Sequence, residues 1–348
     1  MMAEAERDLG RLSSVTGAFP TPQQLIQPFI RNEAVLSSRI EGTRASLVDL
    51  FTFETTKMPR PVSEQSNDVR EVHNYVRAME YGMNRLQTFP ISLRLIRELH
   101  AILMENVRGD ILTPGEFRRS QNWIGPGGST PSSAPYVPPP VEEMHHALDA
   151  LEGYIHTDID TPALARAAMI HYQFEAIHPF LDGNGRIGRL LIILLLYEWK
   201  LLPQPLLNLS VYFERYRQEY DDHLLAVSQR GDWETWLLFF LRGVSEQARD
   251  AVSRVERLRS LRAKYQPFIA AARQPDRMTA IVDYVFTRPI FSINQAADDI
   301  DIAYKTMRDY IEKLIQAGLI RETTGHARNR VFHADEVLNV IRGIDEIT

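Results

Sequence analysis

Residues His178 to Arg189 read HPFLDGNGRIGR, a stretch dense in groups that handle phosphate. Gly183-Asn184-Gly185 places two glycines around an Asn, so the backbone can turn tightly with its N–H groups aligned. An apolar helical run follows at once, from Arg186 to Trp199. A glycine turn feeding a helix N-terminus is an anion site, because the first N–H groups lack intrahelical acceptors and the dipole favours negative charge. Arg186 and Arg189 are three apart, so both can lean over one pocket, and their planar forks suit phosphate oxygens. Asp182 is a hard oxygen ligand suited to Mg²⁺ shared with phosphates. His178 is the nearby side chain whose ordinary pKa suits a base near neutral pH. Together these residues describe a pocket for a phosphate chain, a metal and an attacking hydroxyl.

Several elements must hold this segment. Most of the chain carries helical spacing: 71–79, Leu93 to Met104, Leu148/Leu151/Ile155 and Trp233/Trp236/Leu237/Phe240 each repeat apolar residues three and four apart. Gly125 to Pro140 interrupts the pattern with six prolines and three glycines in 16 residues, which predicts an ordered loop or short hairpin. From Arg254 to Arg273 the spacing reads as a charged helical connector ending near 276. Beyond it, apolar-faced helices over 278–286, 292–297 and 304–315 precede two strand-like pieces, 319–323 and 330–333, around Gly325. Three helices and a small hairpin resemble a winged helix-turn-helix domain.

The 178–189 segment resembles the Fic family motif, HxFx(D/E)GNGRxxR, at every specified position. Gly115-Glu116-Phe117-Arg118 and Gln121 to Gly125 are similar to the family's run into its flap, and Tyr136 to Pro139 to the flap itself, whose backbone would align a target segment by strand addition. The resemblance implies a mainly α fold: a Fic-type helical bundle with a small β-hairpin flap, plus the C-terminal winged helix. It divides the chain into an N-terminal helical region (1–92), a Fic catalytic core (93–245), a helical connector (246–275) and a winged helix domain (276–348).

Fic proteins typically transfer AMP from ATP to a protein hydroxyl. By resemblance, His178 would deprotonate the target Ser, Thr or Tyr, and Asp182 would hold Mg²⁺ on the α- and β-phosphates. The backbone of Gly183, Asn184 and Gly185 would form the anion hole, with Arg186 and Arg189 on the β- and γ-phosphates and Ile187 and Gly188 inside the same binding segment. Tyr216 and Tyr220, in YRQEY, are candidate walls for adenine or ribose. Removal of AMP, transfer of another nucleotide group, or a DNA-binding regulator with a nucleotide-sensing core are the alternative readings.

A second family pattern, (S/T)xxxE(G/N), is matched by Ser37, Glu41 and Gly42. Ser37 and Glu41 lie one turn apart on a helix expected over about 28–42, with Pro28 in its first turn. The resemblance makes this an inhibitory helix: Glu41 would pair with Arg189, compete with the γ-phosphate and so touch the nucleotide site itself.

Composition limits the remainder. The 348 residues include 39 Lys+Arg, 45 Asp+Glu and no cysteine, for a net charge of -6. That balance disfavours general nucleic-acid binding, and the missing cysteines exclude disulfides and thiol chemistry. The longest apolar run, Leu190 to Tyr197, is 8 residues, far below the ~20 of a membrane span. Met1 to Gly10 is polar and acidic, so a cytoplasmic protein with no membrane association is expected. Residues 278–348 carry 8 Lys+Arg against 11 Asp+Glu. DNA contact there, through Lys305 and Arg308 on a recognition helix and His326, Arg328 and Arg330 on a wing, is therefore less favoured than protein contact. Self-modification follows from the resemblance, and the helical surface from Arg254 to Lys264 is a candidate for pairing subunits as a homodimer.

Overall fold

The computed structural model describes residues 1–17, 22–56, 64–107, 113–157, 160–325 and 330–343. His326 and Arg328 lie outside the described residues. The N-terminal region holds α1 (Met2–Gly17), α2 (Pro22–Ile40), α3 (Leu47–Thr56) and α4 (Glu64–Arg85). There follow α5 (Leu93–Leu103), α6 (Val141–His156), α7 (Ala163–Ile177), α8 (Asn184–Glu198), α9 (Leu209–Arg215), α10 (Arg217–Arg230) and α11 (Trp233–Lys264). The chain ends with α12 (Gln266–Ala270), α13 (Pro275–Thr287), β1 (Ile290–Ser292), α14 (Ile293–Ile300), α15 (Tyr304–Gln316), β2 (Arg321–Glu322), β3 (Val331–His333) and α16 (Asp335–Arg342). The architecture is mainly helical.

The core is built around α8. A helix apolar on every face must be buried on every face, and Leu190 to Leu196 are each at most 3% exposed. They pack against α2, α4, α5 and α7. Each such side chain removed from water contributes about 1.5–3 kcal/mol. Gly82 of α4 meets α8 closely: a Cβ there would lie 2.9 Å from Leu194 Cδ1. The N-terminal helix α1 lays Ala5, Leu9 and Leu12 against α11.

Two expectations need correction. The inhibitory helix starts at Pro22, so Pro28 is interior rather than first-turn. The proline-rich segment is an ordered loop closed by a single antiparallel bridge, Ile124 with Tyr136. A three-stranded sheet lies near the C-terminus, ordered β1-β3-β2, with Phe291 opposite Phe332; β2 and β3 fall in the two expected strand-like pieces and β1 is additional. The charged connector is also not a separate helix but the end of a longer, half-buried one. The helix α11 runs unbroken through 245 and buries Val244, Ala248, Ala251, Val252, Val255 and Leu258. Arg254 is 5% exposed and donates to the carbonyl of Ile341 at 2.7 Å. Its guanidinium is thus committed within the chain.

The C-terminal elements pack on the N-terminal ones. α13 lies against α2, and β1 against α3. Thr55 donates to the carbonyl of Ile290 at 3.2 Å. Buried Glu54 accepts from Arg31 at 2.9 Å and lies 3.8 Å from Arg288.

Candidate active site

Two helix ends create the site. His178 caps α7 in the left-handed region, at φ 47°. A non-glycine residue there is strained, and the surroundings hold it. The His178 carbonyl accepts from both Arg118 Nε and Asn122 Nδ2, each at 3.1 Å. The same Arg118 reaches the carbonyls of Ser120 and Pro139, so it ties the proline-rich flap to the His178 turn.

After the turn, Gly183 takes φ 80° and α8 begins at Asn184. The Asn184 side chain bonds both polar groups of the Phe180 backbone, at 2.8 and 2.9 Å, which closes the loop. His100 supports the other edge. Gly115 N donates to its Nδ1 at 2.8 Å, so Nε2 carries the proton and donates to the Asp182 carbonyl at 2.9 Å. Its ring stacks on Phe180 with centroids 3.7 Å apart. Burial lowers the His100 pKa to about 4, consistent with that neutral ring.

A cavity of about 830 Å³ opens over this turn, in the usual range for ligand sites. Glu41, Glu175, His178, Gly185, Arg189, Tyr220 and Asp221 line it, with Ile124 and Tyr136 of the flap on one side. The His178 Nδ1 lies 3.3 Å from the Glu175 carbonyl. A carbonyl only accepts, so Nδ1 holds the proton and Nε2 keeps a lone pair. Burial pushes the His178 pKa down to about 4, against the opposing pull of Glu41 and the Glu175 carbonyl. The imidazole is therefore a neutral base at pH 7.

Glu41 follows α2 directly and reaches α8. Its Oε1 accepts from Arg189 Nη2 at 2.6 Å. Arg189 also donates to Ser37 Oγ and the Ser37 carbonyl, each at 2.9 Å. Burial pushes the Glu41 pKa up, but the Arg189 guanidinium, with smaller help from Arg186 and His178, brings the net direction down. A Cβ on Gly185 would collide with Glu41 Oε1. The carboxylate thus occupies the space above the N-terminus of α8, where an anion is favoured. Gly42, at φ 97°, turns the chain away afterwards.

Not every expected residue faces the cavity. Arg186 is 3% exposed and its charge is matched by Glu71 at 3.1 Å and Asp182 at 3.5 Å. It spans from α8 to α4 rather than leaning over the pocket beside Arg189. Tyr216 packs on Tyr212, ring centroids 4.8 Å apart, and is not part of the wall. Ile187 is fully buried in the core. Tyr220 does line the cavity, and its hydroxyl meets His171 Nε2 at 2.7 Å. Asp182 is at the loop surface with 45% of its side chain exposed. Its Oδ1 accepts from Gly183 N at 2.6 Å. Among the described residues no three His, Asp or Glu side chains form a metal cage. Mg²⁺ normally takes one or two carboxylates plus substrate phosphates, so a lone Asp182 fits an ion that arrives with a nucleotide.

Sequence reasoning named Arg118 and Asn122 only as part of the run into the flap, and it missed His100, which supports the turn, Glu71, which pairs with Arg186, and Glu175 in the wall. Only Glu175 carried a local signal, three residues before His178.

Comparison with known proteins agrees with this geometry. Residues 1–84 match the Fic/DOC family N-terminal pattern and residues 90–196 match the Fic/DOC family, together more than half of the chain. A protein named protein adenylyltransferase Fic from Drosophila willistoni is 28% identical over 211 residues, covering 58% of this chain and 37% of that protein. One of the same name from Drosophila erecta is 29% identical over the same coverage. The match thus spans well under half the length of these curated relatives. The crystal structure of a Fic family protein from Desulfovibrio desulfuricans superposes with a TM-score of 0.57 at 18% identity, covering 96% of both chains, and so shares the fold. The motif at the start of α8, the two sequence matches and the shared fold place this chain in the Fic/DOC family.

Proposed function

We propose that the chain is a protein adenylyltransferase held in check by Glu41. One observation carries the reading: a neutral His178 with a free Nε2 shares one cavity with the glycine-rich N-terminus of α8 and with Arg189. The family match and the names of the curated relatives support it.

In this reading the triphosphate of ATP lies along the start of α8, over Gly183 to Gly185, with Arg189 on the terminal phosphates. Arg186 acts mainly by holding Asp182. Mg²⁺, held by Asp182 and the phosphates, would neutralise charge on them. A segment of the target protein pairs with the flap near Ile124 and Tyr136, which presents a Ser, Thr or Tyr hydroxyl to the cavity. His178 Nε2 takes the hydroxyl proton as the oxygen attacks the α-phosphorus. The bond from that phosphorus to the bridging oxygen breaks, and pyrophosphate leaves with its electrons. The contribution of the protein is position and charge stabilisation. A residue of this chain near the cavity serves as well as a foreign target, hence self-modification.

The C-terminal elements, α13 to α16 with β1 to β3, are read as a winged helix-turn-helix unit that selects targets by protein contact. On α15, Arg308 is already paired with Asp309 and Glu312, at 3.4 and 3.7 Å, which weakens the case for a DNA phosphate.

The test uses ATP labelled on either the α- or the γ-phosphate, Mg²⁺ and the Glu41→Gly protein. Label retained on protein from the α position alone supports AMP transfer. Retention from the γ position instead, or from UTP or GTP but not ATP, refutes it.

A further inference from the structure

The run from Gly115 to Arg118, to which the proposed reaction gives no task, ends in a buried cation. Arg118 is 1% exposed and does not line the cavity. Among the described residues it pairs with no carboxylate, and burial lowers its pKa. A charge buried on these terms is costly. Its three side-chain nitrogens all donate to backbone carbonyls: Nε to His178, Nη1 to Ser120 and Nη2 to Pro139. One planar fork therefore joins the turn that carries the base to the strand that ends the flap.

Both segments need such a tie. His178 has a left-handed φ of 47°, a conformation that persists only when the surroundings hold it. Three successive carbonyls of its turn accept bonds from residues 118 and 122. His178 accepts from Arg118 Nε and Asn122 Nδ2, Pro179 from the Arg118 backbone N at 2.8 Å, and Phe180 from Asn122 Nδ2 at 3.0 Å. On the flap, Pro138, Pro139 and Pro140 have no N–H, so this strand cannot donate to a ladder beyond the Ile124–Tyr136 bridge. Side chains supply the missing bonds. Gln121 Nε2 donates to the Pro138 carbonyl at 2.8 Å, and Arg118 to that of Pro139. Tyr136, two residues before Pro138, lines the cavity together with Ile124 and His178.

We propose that Arg118, with Gln121, is a positioning residue that fixes the distance between the target segment on the flap and His178 Nε2 without touching substrate. The inference rests on the adenylyltransferase reading and adds the part that aligns the target hydroxyl with its base. Reacting atoms must stand about 3–3.5 Å apart, and a misplacement of about 1 Å can cost roughly 100-fold in rate.

The experiment measures label incorporation from α-labelled ATP into the full chain carrying Glu41→Gly, as initial rates across an ATP titration with Mg²⁺. Adding Arg118→Gln should lower kcat by roughly 10- to 100-fold. KM for ATP, and ATP affinity by calorimetry, should stay within twofold, because Arg118 lies outside the cavity wall. Arg118→Lys keeps the charge but not the fork, so it should recover only part of the rate. Gln121→Ala removes an exposed tie to the flap alone and should lower kcat several-fold at unchanged KM, so the test survives if Arg118→Gln fails to fold. Rates within twofold of the parent in Arg118→Gln or Gln121→Ala overturn the proposal. So does a loss of ATP affinity in step with the fall in kcat, which marks a merely structural arginine, or full recovery by Arg118→Lys, which assigns the effect to charge. A Glu41→Gly parent that takes up no label overturns the adenylyltransferase reading as well.

Discussion

Replacing Glu41 with Gly should raise the rate of AMP transfer at limiting ATP by roughly 10- to 100-fold. The carboxylate makes a charge-assisted bond to Arg189 Nη2 at 2.6 Å, and it fills the space over Gly185. A hydrogen bond to a charged group is worth about 1.5–3 kcal/mol. At about 1.4 kcal/mol per tenfold, that is the factor ATP no longer has to overcome to reach Arg189. Ser37 still accepts two bonds from Arg189 in the variant, so the guanidinium stays in place for the γ-phosphate. The assay is the initial rate of label incorporation from α-labelled ATP, well below saturation. Glu41→Gln, which keeps the volume but loses the charge, should fall between wild type and Gly. A Glu41→Gly protein that is folded, binds ATP and transfers AMP within twofold of wild type would refute the reasoning.

Other outcomes follow from the same geometry. Gly185→Ala, measured in the Glu41→Gly background, should cost more than tenfold in transfer, because its Cβ would lie 2.9 Å from Arg189 Nη1 in the space meant for phosphate. In that background the transfer rate should lose its base only below about pH 5. His178 is held down to about 4, and removing Glu41 removes a charge that raises it. A half-point near 6.5 would show that the histidine is not buried as described. Leu194→Ala empties part of the core beside Gly82 and should lower unfolding free energy by about 2–5 kcal/mol in a denaturant titration. Glu33 is raised to about 7 by burial, despite its bonds from Ser210. The folded state therefore holds that proton while the unfolded chain releases it near 4.5, and this group's contribution is lost as pH rises from about 4.5 to 7. Glu33→Gln should flatten that part of the stability profile.

The turn was readable because it is local: two glycines, an Asn and the start of an apolar helix fall within a few residues. Contacts that cross the sequence were not readable from spacing. Arg189 meets Ser37 and Glu41 across about 150 positions, and only the resemblance to a family pattern joined them. Arg186 was placed over the pocket because residues three apart share a helix face, but Glu71 of α4 takes its charge. Tyr216 fell to ordinary aromatic packing on Tyr212. In α11 the charged residues hid a regular apolar stripe that α1 covers. The short elements β1 and α16 were missed because 3 and 8 residues carry too little periodicity to stand out. Of the candidate nucleotide residues, Gly185 and Arg189 face the cavity from the first turns of α8.

The central claim is that His178 and the start of α8 transfer AMP, and that Glu41 restrains them. Intact-mass spectrometry of the purified chain with ATP and Mg²⁺ tests it without a known target. Wild type, Glu41→Gly and Glu41→Gly with His178→Ala are compared. The account predicts an added AMP in Glu41→Gly, little in wild type and none once His178 is gone. Equal adducts with and without His178, or an adduct on wild type as large as on Glu41→Gly, would contradict it.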